Sequence, residues 1–238
     1  MVAGLVAVVL GAFALGGLAW TGVVHANNPS QQRFPIRGVD VSRYQGQIDW
    51  PVLASQGMSF AFIKATEGSS FVDARFADNL AGADAAGLRT GAYHFFSFES
   101  AGATQADNVI AHVPVRPGGL PVVVDVEFYG DFWTRQPAPA DVRRELGDLL
   151  GRLAAHYGDA PILYATPEAY DRYLAGNFAA SDIWIRDIWR EPALSDGRDW
   201  TFWQYSDRHR LAGYSGEEAF IDQNVFAGDR DAWAAYCR

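Results

Sequence analysis

Cysteine is almost missing from the sequence. The single cysteine, Cys237, is the second residue from the end of a 238-residue chain, so no disulfide can form within the chain. Basic residues are also scarce, with 19 Lys and Arg against 28 Asp and Glu and a net charge of −9. Nucleic acids are bound mainly through clustered basic side chains, so this acidic balance excludes nucleic acid as a partner.

The motifs of several common enzyme classes are absent. The chain has no Gly-x-Ser-x-Gly of a serine hydrolase, no His-Glu-x-x-His or EF-hand spacing, and no Gly-rich phosphate fingerprint after its first predicted strand. Cys237 lies at the extreme end and is a poor candidate for a nucleophile. Carboxylates could hold Mg²⁺ or Ca²⁺, but this is the weaker interpretation, and we expect no metal and no cofactor.

Charge is absent from the first 32 residues, and residues 2–24 are apolar or Gly except for Thr21. A buried helix is disfavoured by five glycines in this stretch. The other interpretations are a signal peptide cleaved after Val24-His25-Ala26 and an uncleaved membrane anchor. We predict an export segment over 1–26, with cleavage and anchoring left open, and a polar linker over 27–35.

The remaining chain has the composition of a packed domain, since 49% of the sequence is apolar and 14% is aromatic. From residue 36 onward, short apolar runs alternate with helical patterns. Strands are predicted at 36–41, 59–64, 90–96, 120–127, 161–165, 182–188, 200–205 and 219–221. Helices are predicted at 49–56, 73–86, 100–112, 140–157 and 166–176.

This alternation predicts parallel strands with right-handed crossovers. Eight strands in about 200 residues favour an α/β fold, an irregular single-domain (β/α) barrel that is TIM-barrel-like. Its last helices should be degraded, because no helical pattern separates the last two strands. A doubly wound open sheet is the alternative.

Carboxylates stand at four predicted strand ends, where a parallel barrel has its mouth. Asp125 and Glu127 are the most informative, because side chains two apart on a strand share a face, with Cβ atoms roughly 6–7 Å apart. Two acids held so close repel, so one should keep its proton while the other is ionised. Glycoside hydrolysis needs this division. The other acids are Asp40, Glu67 and Asp222. A lone Asp-x-Glu would more simply be a solvated strand end.

Aromatic residues are concentrated near the same strand ends. Each is by itself a core residue first, but together with carboxylates they suit sugar rings, whose C–H faces stack on aromatic planes. His94 could be a metal ligand, although a hydrogen-bonding histidine of the core or mouth is favoured. The aromatic set is Tyr44, Tyr93, Phe96, Phe128, Tyr129, Tyr164, Trp184, Trp203 and Tyr205.

Five segments in this order resemble glycoside hydrolase family 25, the Chalaropsis-type lysozymes or N-acetylmuramidases, and 202–206 adds to the match. The five are GVDVSRYQ at 38–45, FIKATEG at 62–68, GAYHF at 91–95, VDVE at 124–127 and IDQNVF at 221–226. The resemblance covers about residues 36–236. It implies an irregular β/α barrel and hydrolysis, with retention, of the β-1,4 bond from N-acetylmuramic acid to N-acetylglucosamine.

The resemblance also implies roles for single residues. Glu127 would be the general acid/base, and Asp125 its partner, as a nucleophile or as the group that orients the substrate's acetamide. Asp40 and Asp222 would flank the mouth. Tyr93 and Tyr164 would contact sugar, and Trp184, Gln204 and Glu67 are further candidates for substrate binding.

One segment departs from the family pattern. Many members have Trp-x-Ala-x-Tyr on the sixth strand, whereas this chain has Trp184-Ile-Arg-Asp-Ile188, so Arg186 and Asp187 could alter a sugar subsite. The four acids of the site are intact, which argues against a non-catalytic glycan-binding module or a membrane-tethered scaffold.

The implied partner is the peptidoglycan glycan strand, with a monomeric catalytic domain over 36–238. The N-terminal segment should contact the membrane at least transiently. Arginines follow that segment and none precede it, which alone would favour a cytoplasmic domain. The resemblance outweighs this, and we expect an exported protein, periplasmic or extracellular, that is tethered if residues 2–24 are not removed.

Overall fold

The structure is a computed structural model that describes residues 27–237. The predicted export segment over 1–26 lies outside the described residues. Within 27–237, no helix is both long enough and apolar enough to cross a bilayer.

Nine strands and six helices make up the described part of the chain. The strands are β1 (Arg37–Val41), β2 (Phe60–Glu67), β3 (Phe71–Val72), β4 (Arg89–Phe95), β5 (Val123–Val126), β6 (Ile162–Ala165), β7 (Ile183–Arg186), β8 (Phe202–His209) and β9 (Ile221–Phe226). The helices are α1 (Trp50–Ala54), α2 (Phe76–Ala85), α3 (Gly102–His112), α4 (Pro139–Tyr157), α5 (Pro167–Ala169) and α6 (Arg230–Tyr236).

Eight of the strands close into a barrel. The sheet runs β1-β9-β8-β7-β6-β5-β4-β2, and β1 also pairs with β2, which closes the ring and confirms the predicted barrel over the open sheet. The two-residue β3 folds back on the end of β2 and lies outside the ring.

The expectation that all strands run parallel is wrong for the last one. β9 is antiparallel to both β8 and β1, and it spans Ile221–Phe226 rather than 219–221. Residues 210–220 contain no helix, and the strand that follows them runs back alongside β8. Asp222 therefore reaches the mouth from the start of its strand.

The helical predictions hold where the apolar period is strong. In α4, Val142, Leu146, Leu149 and Leu153 form one buried face, and Gly158 ends the helix in the left-handed conformation at φ 89°. Helix α3 packs closely on α4 at Gly102, where a Cβ atom would come within 1.8 Å of the Glu145 carbonyl oxygen. The predicted helix over 166–176 is shorter: Thr166 caps α5, and a π-helical turn follows.

Aromatic side chains fill the amino-terminal half of the barrel. Phe60 and Phe62 of β2 pack edge to face on Phe202 of β8, and Trp233 of α6 covers Phe60 from below. This apolar plug leaves the polar side chains at the carboxyl ends of the strands, and these face the mouth.

As expected, no helix lies between β8 and β9, and none lies between β7 and β8.

The outer face of β8 is covered by the segment predicted as a linker. Phe34 is buried there, with its ring 5.9 Å from the rings of both Trp200 and Trp203. Residues 27–35 have no helix or strand, but they are anchored to the barrel.

Candidate active site

The four acids predicted to form the site converge at the mouth. Asp40 near the end of β1 pairs directly with Asp222 at the start of β9. Across the barrel, Asp125 lies in β5 and Glu127 directly follows the end of that strand. The pKa values of all four carboxyls are raised, and burial is the main cause for each. Desolvation favours the neutral form of an acid, so the site binds protons strongly.

Asp40 and Asp222 form a hydrogen-bonded carboxyl pair. A bond between two carboxyl groups requires one proton, and Asp222 holds it, because burial and the charge of Asp40 raise the Asp222 pKa well above its ordinary value. Two amides face the pair. Gln204 Nε2 donates to Asp40 Oδ2 at 2.9 Å and to Asp222 Oδ2 at 3.2 Å, and Asn224 Nδ2 donates to Asp40 Oδ2 at 2.7 Å.

A second layer fixes the direction of those amides. The Tyr164 hydroxyl donates to Gln204 Oε1 at 2.9 Å, and Trp184 Nε1 donates to Asn224 Oδ1 at 2.8 Å. With each amide oxygen occupied, each NH₂ group must point to the carboxyl pair. Sequence reasoning gave Asn224 no role, although it lies in a motif segment two residues after Asp222.

Three of the side chains expected to contact substrate are buried. Trp184 and Gln204 are only 2% and 3% exposed, and Tyr164 is buried as well. Trp184 is also stacked on Phe62 at 4.5 Å. In this enclosed position Trp184 and Gln204 hydrogen-bond to neighbouring side chains, and their contact with substrate stays a prediction.

The carboxyls of Asp125 and Glu127 differ from the other two acids in having no hydrogen-bond partner within residues 27–237. Asp125 Oδ1 is fully buried and unpaired. Burial and then the charge of Glu127 raise the Asp125 pKa well above its ordinary value. For Glu127, the expected cause of a raised pKa is repulsion within the Asp-x-Glu pair. Instead burial is the largest cause of its raised pKa, with Asp40 adding to it. Both groups are free to act on a bound molecule.

Two cations moderate this acidic mouth. Arg186 at the end of β7 donates to Asp207 Oδ2 at 2.7 Å, and its charge lowers the pKa values of Glu127, Asp40 and Asp222. Sequence reasoning singled out Arg186 as a departure from the family pattern, and the structure places it in the site. Its neighbour Asp187 instead accepts backbone hydrogen bonds from the following loop.

Lys64 on β2 is the second cation. It pairs with Glu67 at 2.7 Å and lies over the ring of Phe95 at 5.0 Å. Glu67, a candidate for substrate binding, is thus already engaged by a charge. The lysine also lowers the pKa values of both Asp125 and Glu127.

Tyr93 is the predicted sugar contact whose hydroxyl remains available. It has no hydrogen-bond partner in the described part of the chain, and burial together with Asp40, Asp125 and Asp222 raises its pKa well above the ordinary value. The hydroxyl therefore stays protonated and can donate to a ligand in the mouth.

His94 is a structural residue. It is buried, with Nδ1 2.8 Å from Thr66 Oγ1 and Nε2 3.0 Å from Gln105 Oε1. Burial lowers its pKa to about 4, so the ring is neutral. Nowhere in 27–237 do three or more His, Cys, Asp or Glu side chains form a group that could hold a metal ion.

Comparison with known proteins matches this geometry to one family. Residues 39–214 match the glycosyl hydrolases family 25. A solved family 25 glycosyl hydrolase from Bacillus anthracis is 49% identical, covering 90% of this chain and 98% of that one, with a TM-score of 0.85. The bacterial lysozyme structure from Streptomyces coelicolor is 32% identical, covering 85% and 96%, with a TM-score of 0.76.

A further relative is known from its sequence. Lysozyme M1 of Streptomyces globisporus is 35% identical over 214 residues, which cover 81% of this chain and 68% of that protein. The family match, the fold and the named relatives all agree. The chain therefore belongs to glycosyl hydrolase family 25 and is a glycoside hydrolase.

Proposed function

We propose that the protein is a muramidase that hydrolyses, with retention, the β-1,4 bond from N-acetylmuramic acid to N-acetylglucosamine in peptidoglycan. The observation that carries the proposal is the pair Asp125 and Glu127, two buried carboxyls with raised pKa values and no partner in residues 27–237. The lysozymes among the relatives support the substrate class.

Glu127 is the proton donor in this proposal. Its raised pKa extends upward the pH range over which it holds a proton, and it is less deeply buried than Asp125. It protonates the glycosidic oxygen as the bond to the anomeric carbon breaks. It then removes a proton from the water that attacks the anomeric carbon, which restores the acid form.

Asp125 stabilises the positive charge that develops on the sugar. It acts either as the nucleophile or through the acetamide of the substrate, whose attack it would orient. The proposal of retention follows from the family resemblance. Burial raises the pKa of Asp125 further than that of Glu127. Lys64 opposes this by lowering the Asp125 pKa, and the positive charge that develops on the sugar favours the ionised Asp125 that the proposal needs.

Asp40 and Asp222 form the opposite wall of the mouth. Their shared proton leaves the pair with one negative charge, which two amides and Arg186 partly balance. We infer that this wall binds sugar hydroxyls or the acetamide. Its negative charge also helps Asp125 and Glu127 to keep their protons. Tyr93 supplies a hydroxyl to the same ligand.

The test is a charge-removing, size-conserving substitution. Glu127→Gln should lower hydrolysis of purified peptidoglycan by at least about 10²–10⁴-fold, because an amide cannot donate the proton. Glu168→Gln is the matched control, since Glu168 is exposed in the first turn of α5. Near-normal activity of Glu127→Gln at every pH would show that another residue donates the proton.

We also propose that the protein acts outside the cytoplasm, where peptidoglycan lies. In this proposal residues 1–26 direct export and residues 36–238 are the catalytic domain, acting as a monomer. Mass spectrometry of the membrane and soluble fractions decides between the two forms. A protein starting near residue 27 indicates cleavage, an intact Met1 in the membrane indicates anchoring, and full-length cytoplasmic protein contradicts export.

A further inference from the structure

Large apolar side chains are exposed at few places in residues 27–237. Two are tryptophans, Trp133 and Trp189, which are 56% and 73% exposed. Trp133 lies in the loop after β5, six residues beyond Glu127, and Trp189 lies in the loop after β7, three residues beyond Arg186. Both loops leave the carboxyl ends of barrel strands, so both tryptophans belong to loops at the end of the barrel that holds the acids.

The loop of Trp133 is rigidly built. Tyr129 stacks on Phe98 with their planes 10° apart, and its hydroxyl accepts a hydrogen bond from the Phe98 backbone at 3.0 Å. Phe132 packs on Tyr129 at 5.0 Å. Trp133 touches this cluster only through Phe128, at 5.7 Å. Its exposure is therefore a property of a well-packed loop and not of a loose one.

The loop of Trp189 is also held in place. Asp187 Oδ1 accepts from the backbone N–H groups of Trp189 and Arg190 at 2.9 and 3.1 Å. Further along, Glu191 pairs with Arg33 at 2.6 Å. The indole itself has no ring partner in the described residues. An aromatic plane held open beside a catalytic mouth lacks a role in the fold, which points to a ligand.

We propose that Trp133 and Trp189 are stacking platforms for sugar rings of the glycan strand beyond the residues at the scissile bond. The inference rests on the proposed function and adds subsites to it. The other exposed mouth aromatic, Tyr44, is a poorer platform because the guanidinium of Arg43 lies 5.0 Å above its ring. A strand of N-acetylated hexosamines suits two open indoles, since each ring offers a C–H face to one plane.

A membrane surface is the competing ligand for exposed tryptophans. The acidic mouth opposes it, because the carboxyls of Asp125, Glu127 and the Asp40–Asp222 pair lie at the same end of the barrel as the two loops and disfavour anionic lipid. A glycan strand offers hydroxyl and N-acetyl groups that such carboxyls can hydrogen-bond, and C–H faces on which indoles can stack. The observations therefore favour the glycan, and lipid binding becomes an outcome of the test.

The experiment measures co-sedimentation of the purified protein with insoluble peptidoglycan, whose glycan strands are long. It uses the Glu127→Gln background so that the strands stay intact. Trp133→Ala and Trp189→Ala should each weaken binding about threefold to tenfold, as expected for one lost aromatic stacking contact. Val115→Ala is the matched control and should bind like its parent. Val115 is 56% exposed, as Trp133 is, but lies in the α3–β5 connection at the other end of the barrel.

Hydrolysis of short soluble glycans, measured with Glu127 intact, separates the two proposals. If Trp variants cleave four-sugar fragments as the unsubstituted protein does but lose activity on long strands, both proposals stand. If the unsubstituted protein cleaves nothing while binding still depends on the tryptophans, only the proposed function fails. Unchanged strand binding in both Trp variants overturns the inference. So does lost binding to phosphatidylglycerol vesicles with strand binding intact.

Discussion

Asn224→Leu removes the central connection of the amide network with little change in side-chain volume. Asn224 is fully buried, donates to Asp40 at 2.7 Å and accepts from Trp184 at 2.8 Å. A hydrogen bond to a charged group contributes about 1.5–3 kcal/mol, and an unsatisfied buried N–H costs about 1–3 kcal/mol. The added apolar contact of leucine offsets about 1 kcal/mol. We therefore expect a loss of about 3 kcal/mol near neutral pH.

The same substitution should change how stability depends on pH. The pKa of Asp40 is raised in the folded protein. Its protonated form therefore stabilises the fold fully below the unfolded pKa, and this stabilisation is lost as the pH rises through the folded pKa. The hydrogen bond from Asn224 lowers the folded pKa of Asp40. Removing Asn224 raises that pKa further, so more stability is lost as the pH rises. The deficit of Asn224→Leu should be smallest near about pH 4 and largest near about pH 7.

Thermal melts measure both effects. A loss of about 3 kcal/mol lowers the melting temperature by about 6–12 °C in a domain of this size. Asn79→Leu is the matched control, because Asn79 is buried but its Nδ2 has no partner in residues 27–237. It should cost little and show no added pH dependence. An Asn224→Leu protein that melts within about 1 °C of its parent, or equally at both pH values, would refute the network's importance.

Two further substitutions test other contacts. Arg186→Leu removes a charge that lowers the Glu127 pKa, so the alkaline limb of the hydrolysis rate should move to higher pH; a pH–rate profile with an unmoved limb would contradict the assigned electrostatics. Phe34→Ala should destabilise the domain by about 3–5 kcal/mol in chemical denaturation, because Phe34 seals the outer face of β8 beside Trp203. A loss under about 1 kcal/mol would mean that residues 27–35 do behave as a free linker.

The sequence predicts the parts of the fold that depend on local pattern. The face of Val142, Leu146 and Leu149 specifies α4, and the apolar run before Asp125 specifies β5. The direction of β9 is different. Neither 187–201 nor 210–220 forms a helix, yet β8 runs parallel to β7 whereas β9 runs antiparallel to β8. The absence of a helical pattern therefore does not decide the direction of a strand, and sequence pattern alone could not predict it.

The site divides in the same way. The acids were predictable because strand ends in a barrel share one mouth, which places Asp40, Asp125 and Glu127 together without any knowledge of contacts. The orientation of Gln204 and Asn224 was not, since it depends on which partner occupies each amide oxygen. The Arg186–Asp207 pair likewise joins two strands, and only their register brings the charges within 2.7 Å.

The proposed function places the cleavage of peptidoglycan on the reducing side of N-acetylmuramic acid. The most direct measurement is to digest purified peptidoglycan with the protein, reduce the new ends with borohydride and identify the reduced sugar by mass spectrometry. We expect the alcohol of N-acetylmuramic acid, and we expect it to be absent from the digest made with Glu127→Gln. The alcohol of N-acetylglucosamine, or no new reducing end, would contradict it.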